Sequence, residues 1–120
     1  GEWESRATVL KGKNIISRHA DINYLVQWLN LNLLSTIENK PGIPPSATQM
    51  KKLVYDFEGS DVLAINAFIM NPSKPAKWLS EKLQAPNIKL HYTVGSHKNI
   101  KNLYDLFEEN INILLDINNV

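Results

Sequence analysis

The sequence predicts an α/β domain: a small, mainly parallel three-stranded sheet flanked by about four helices. Three observations carry this expectation. Residues 87–94 alternate, with Ile88, Leu90, Tyr92 and Val94 on one side and Lys89, His91 and Thr93 on the other. After Gly95 and Ser96 the period changes to helical, through Ile100, Leu103, Phe107, Ile111 and Leu114. Earlier, Ser46-Ala47-Thr48-Gln49 has the spacing of a capping box and precedes Met50, Leu53, Val54 and Phe57 at i, i+3, i+4, i+7. Between them lies a short apolar run, residues 62–70, bounded by Gly59-Ser60-Asp61 and Asn71-Pro72.

Taken in order, residues 1–5 read as a frayed terminus or tag remnant, and residues 6–120 as one globular domain. Residues 7–17 read as extended, with Val9-Leu10 and Ile15-Ile16 on either side of Lys11-Gly12-Lys13. Asp21 can cap a helix whose stripe is Ile22, Leu25, Val26, Leu29, Leu33 and Ile37, ended near Asn39 by Lys40-Pro41-Gly42. The capping box opens the next helix, and Gly59 is placed to close it in a left-handed conformation. Periodicity alone does not separate buried strand from buried helix over residues 62–70; its length and its bounding turns favour strand. A helix there would leave a mostly α domain with a minor β element. Ser73 can cap a helix over residues 74–84, where Ala76, Leu79 and Leu83 face inward and Pro75 is tolerated in the first turn. The strand, helix and strand of residues 62–94 then form a parallel pair joined by a crossover.

Composition narrows the function classes. Thirteen basic against twelve acidic residues leave a formal charge of +1, so the balance points neither to a nucleic-acid coat nor to an acidic tail. The absence of cysteine removes disulfides, thiolate metal sites and cysteine nucleophiles. The best apolar stretch, residues 22–34, is interrupted by Asn23, Gln27, Asn30 and Asn32, so no membrane span is expected. An intracellular setting is the expectation.

Three strand-to-helix junctions would share the carboxyl edge of such a sheet, the usual ligand edge of open α/β folds. They are the segments around Arg18, around Ser73 and Lys74, and around Ser96 and Lys98. Helix N-termini attract anions, so these five residues are the candidate anion-binding set. Ser and Asp at helix starts are caps first, and that structural reading stands ahead of an anion site. His19, His91 and His97 show no zinc-peptidase spacing, so neither a metal site nor a cofactor is expected.

Three fragments resemble the Toll/interleukin-1 receptor (TIR) domain. Residues Ile15 to Asp21 look like that family's first strand and polar turn, residues Glu58 to Leu63 like its approach to the central strand, and residues Lys77 to Leu83 like its Trp-x-x-Glu helix. The resemblance implies a catalytic role for Glu81, as in NAD-cleaving members. Leu79 stands where that family commonly has cysteine, and residues 39–46 offer no second strand.

The final helix is apolar beyond one stripe, since Leu106, Ile113 and Ile117 lie outside it. That surplus makes a non-catalytic protein–protein interaction domain of a larger protein the leading expectation, with these three residues facing a protein partner or a second copy. The alternatives are a small nucleotide- or phosphate-binding domain, including the TIR-like NAD glycohydrolase, and a nucleic-acid-binding domain.

Overall fold

Four short strands form one parallel sheet in the computed structural model, which describes residues 2–38, 43, 45–67, 74–91, 95 and 100–118. The described elements are α1 (Glu2–Thr8), β1 (Asn14–Ser17), a 3-10 turn (Ala20–Ile22), α2 (Asn23–Leu29), β2 (Asn32–Thr36), α3 (Ala47–Phe57), β3 (Val62–Asn66), α4 (Lys74–Leu83), β4 (Asn87–Ile88) and α5 (Leu103–Asn118). The strand order is β2-β1-β3-β4, and every pairing is parallel. The α/β class therefore stands, with one strand and one helix more than the sequence suggests.

The register sets the position of the site. Ser17 pairs with Thr36 on one side and Asn66 on the other, and Asn66 pairs with Ile88. All four strands thus end level, and the loops that leave them share one edge. The order reverses between β1 and β3, the place where open parallel sheets leave a crevice.

Both sheet faces are covered. Ile16, Val62 and Ile65 pack with Met50 and Leu53 of α3 and Leu79 and Leu83 of α4. Ile15 turns to the opposite face and packs with Leu25 and Leu29 of α2 and Ile111 and Leu114 of α5. Consecutive isoleucines serve both layers because side chains alternate along a strand. Each fully buried side chain of this size contributes about 1.5–3 kcal/mol.

The helix over residues 74–84 and the parallel strand-helix-strand unit are present as expected. Residues 62–66 are strand, while residues 68–70 lie outside those described. The capping box is complete: the Gln49 amide donates to Ser46 Oγ at 3.2 Å, and the Ser46 amide donates to Gln49 Oε1 at 2.7 Å. Gly59 takes the left-handed conformation at φ 84°.

Three expectations are corrected. Residues 2–8 are helical rather than frayed or extended; Arg6 Nη1 donates to Glu108 Oε1 of α5 at 2.7 Å, and Ala7 packs on the core. The helix expected to reach Asn39 ends after Leu29. Asn30 adopts φ 54° and ψ 40°, its amide donates to Gln27, and the Leu31 amide donates to the Val26 carbonyl at 3.0 Å. This is a Schellman stop, and asparagine is among the few residues that tolerate it. Residues 32–36 then become β2, a strand whose Leu33 and Leu34 enter opposite layers. The closing strand is ladder-paired only at Asn87 and Ile88; residues 92–94 lie outside those described.

Candidate functional site

Backbone pairing continues one residue beyond the strands at the carboxyl edge. The Arg18 amide donates to the Asn66 carbonyl at 3.0 Å, the Ile37 amide to Ser17 at 2.9 Å, and the Glu38 amide to Arg18 at 3.1 Å. Arg18 and Glu38 are therefore neighbours across the β1–β2 edge. Their placement is fixed by the ladder rather than by loop conformation.

Their side chains converge with His19. Arg18 Nε donates to Glu38 Oε2, and His19 Nε2 lies 3.2 Å from Glu38 Oε1. The Glu38 side chain is 6% exposed, against 36% for Arg18 and 27% for His19. Burial pushes the Glu38 carboxyl up, but hydrogen bonds and charge from Arg18 and His19 outweigh it and hold the carboxyl below its ordinary range. The outcome is a buried carboxylate, ionised at neutral pH, at the carboxyl edge of the sheet.

Two amide networks hold the neighbouring loops in place. Asn66 Nδ2 donates to Ser17 Oγ at 3.2 Å, and Asn66 Oδ1 accepts from the Leu90 amide at 2.8 Å. Asn110, fully buried on α5, accepts from the His91 amide at 2.8 Å and donates to the His91 carbonyl at 2.7 Å and to Tyr24 Oη at 3.2 Å. The Tyr24 hydroxyl also donates to the His91 carbonyl at 2.7 Å. Burial raises the Tyr24 hydroxyl above its usual range, the Asn110 bond opposes this, and the Asp21 charge adds to it. Residues 89–91 lack a ladder and are anchored instead by side chains from β3 and α5.

The sequence-predicted sites are distributed unevenly. Arg18 is at the edge, as expected. Lys74 opens α4, while Ser73, Ser96 and Lys98 lie outside the described residues. Arg18 of the candidate anion set lies at the edge, and its described partner is a carboxylate. Glu81 is exposed on α4. Of the α5 residues expected to face a partner, Leu106 is buried, Ile113 packs partly buried on the core, and Ile117 is half-buried. Part of the apolar surface of α5 goes into the layer that it shares with α2, while Leu103 and Tyr104 stay exposed.

Sequence reasoning misses Glu38. Its position depends on β2, and the signal for β2 is Asn30-Leu31-Asn32, where an asparagine stop precedes a short apolar run. His19 is conspicuous in the sequence, but its partner is not. Among the described residues no cluster of three or more His, Asp or Glu side chains converges, so His19 and Glu38 stand as a pair of donors.

No family model and no curated sequence matches the chain. Solved structures do match in fold. The laminin-binding adhesin Lmb from Streptococcus agalactiae aligns with TM-score 0.72 and 22% identity, over 97% of this chain and 44% of that one. The solute-binding protein (SBP) FpvC from Pseudomonas aeruginosa, in complex with Mn2+, aligns with TM-score 0.66 and 18% identity, over 98% and 47%. The laminin-binding protein Lbp of Streptococcus pyogenes gives TM-score 0.65 and 22% identity, over 96% and 44%. The chain thus spans a little under half the length of these neighbours. They are ligand-binding proteins, and this overturns the expectation of a scaffolding domain acting through α5. The nucleotide-binding, NAD-cleaving and nucleic-acid alternatives find no support among them.

Proposed function

We propose that this chain is a ligand-binding unit of solute-binding type, and that it captures a divalent transition-metal cation with His19 Nε2 and Glu38 Oε1. The observation that carries this reading is the geometry of that pair. Two donors each about 2.1 Å from one cation, at angles between right and tetrahedral, lie about 3.0–3.4 Å apart. The separation here is 3.2 Å. A cation can therefore replace the proton between the two atoms without moving either side chain far. Imidazole and carboxylate suit first-row divalent ions, and the fold neighbour FpvC occurs with Mn2+ and with Ni2+.

Glu38 is prepared for this role. It is ionised, so no proton has to leave it, and its second oxygen is held by Arg18, which orients the carboxylate. The Asn66 and Asn110 networks keep the surrounding loops from having to be ordered when the ligand arrives. Two donors do not complete a coordination sphere, so a bound cation takes further ligands beside them.

Isothermal titration of the chain with Ni2+ and Mn2+ tests the proposal. Binding is expected in the wild type and should weaken about 100-fold or more in His19→Ala and Glu38→Gln, a loss at least as large as that from removing an outer-shell partner. Equal affinity in both variants and the wild type would refute it.

A further inference from the structure

We infer that the cation is bound together with a carboxylate, and that Arg18 is the residue that recognises this companion. The inference rests on the assignment of His19 and Glu38 as cation donors and narrows the cargo to a cation with a carboxylate ligand.

The first support is the donor inventory of Arg18. A guanidinium carries five N–H donors in a rigid plane. Nε spends one on Glu38 Oε2, which leaves the two terminal nitrogens, with no hydrogen bond to any described residue. These two nitrogens form the fork that matches a carboxylate with two parallel hydrogen bonds. The Arg18 side chain is 36% exposed, beside a carboxylate that is 6% exposed, so the guanidinium is accessible to a ligand while its partner is not.

Charge gives the second support. Arg18 and Glu38 cancel each other, and a divalent ion added to that pair brings two positive charges next to a guanidinium. Among the described residues no further Asp or Glu joins His19 and Glu38 to offset them. A carboxylate that coordinates the ion through one oxygen and meets the Arg18 fork through the other supplies the missing charge and fills a coordination position. Arg18 then separates Glu38 from the companion anion and holds both. Orienting Glu38 occupies only Nε of Arg18, so a site for a bare cation leaves the terminal fork unused, and a site for an anion alone would not place a buried carboxylate in the same cluster.

The test is a comparison of Ni2+ affinity in chloride and in malonate at equal ionic strength and equal free Ni2+, read by titration calorimetry of the whole chain. The wild type should bind at least tenfold more tightly in malonate. In Arg18→Gln the ratio of the two affinities should fall to about one, whatever the variant's affinity in chloride. If Arg18→Gln does not fold, Arg18→Lys, which keeps the charge but not the fork, must bring the ratio below threefold. Ni2+ binding in chloride with no gain in malonate overturns this inference and leaves the cation site standing. A full gain retained in the Arg18 variants overturns it as well. Absence of Ni2+ binding in both media overturns both readings.

Discussion

Asn110 offers the sharpest test of how the edge of the sheet is held together. Its side chain is fully buried and makes three hydrogen bonds: one accepted from the His91 amide, one donated to the His91 carbonyl and one donated to Tyr24 Oη. Asn110→Leu keeps the volume and removes all three. The His91 carbonyl retains the Tyr24 hydroxyl at 2.7 Å, so it stays satisfied. The His91 amide loses its side-chain acceptor, at a cost of about 1–3 kcal/mol if it is left without one, and the other two bonds are worth about 1 kcal/mol each. A destabilisation of at least about 3 kcal/mol follows. With a urea dependence of about 1–3 kcal/mol per molar, the unfolding midpoint should fall by about 1–3 M. Tyr24→Phe is the internal control. It leaves the Asn110 clamp on His91 intact and should cost only about 1 kcal/mol. The two changes share His91 and touch each other, so the double variant should lose less than their sum. A midpoint for Asn110→Leu within a few tenths molar of wild type, with an unchanged slope, would refute the view that this amide anchors residues 89–91.

Two further outcomes follow from the same physical reasoning. Ser46→Ala removes the side-chain half of the capping box and should destabilise the domain by about 1 kcal/mol, measurable as a urea midpoint shift; Gln49, left with its bond to the residue 46 amide, should not compensate. The folded-state carboxyl of Glu38 sits below its ordinary range, so its stabilising contribution is complete above the unfolded value, about 4.3, and is lost as pH falls through the folded value. The stability gap between wild type and Glu38→Gln should therefore be constant near neutral pH and close on acidification; a gap independent of pH down to the acid transition would contradict the ion-pair assignment.

Elements with local signals are legible in the residues themselves. α3 announces itself through a capping box and a closing glycine, and α4 through a proline in its first turn and a short stripe. Their hydrogen-bond partners lie within a few residues, so no distant contact has to be known. β2 is hidden for a physical reason. β2 is a five-residue edge strand, Asn-Leu-Leu-Ser-Thr, too short and too polar for a strand pattern of its own, and Leu29, Leu33 and Ile37 happen to keep a four-residue spacing that extends the pattern of α2. Only the left-handed Asn30 breaks it, and asparagine in a helical pattern is too common to be decisive alone. α5 misleads in the opposite sense. Its broad apolar circumference suggests a partner surface, because a helix pattern cannot say how many layers it will meet.

The site follows the same division. Arg18 stands out for its place after the first strand, and that place is right. Its partner within the chain is Glu38, twenty residues further along. Residue types, chain order and the helix caps come from short-range chemistry, and the sequence alone determined them. Which strand lies beside β1, and hence that a buried carboxylate meets an arginine and a histidine at one edge, was decided only by the parallel pairing of β1 with β2. That pairing depends on hydrogen bonds and burial between segments some twenty residues apart, and no local pattern encodes its register.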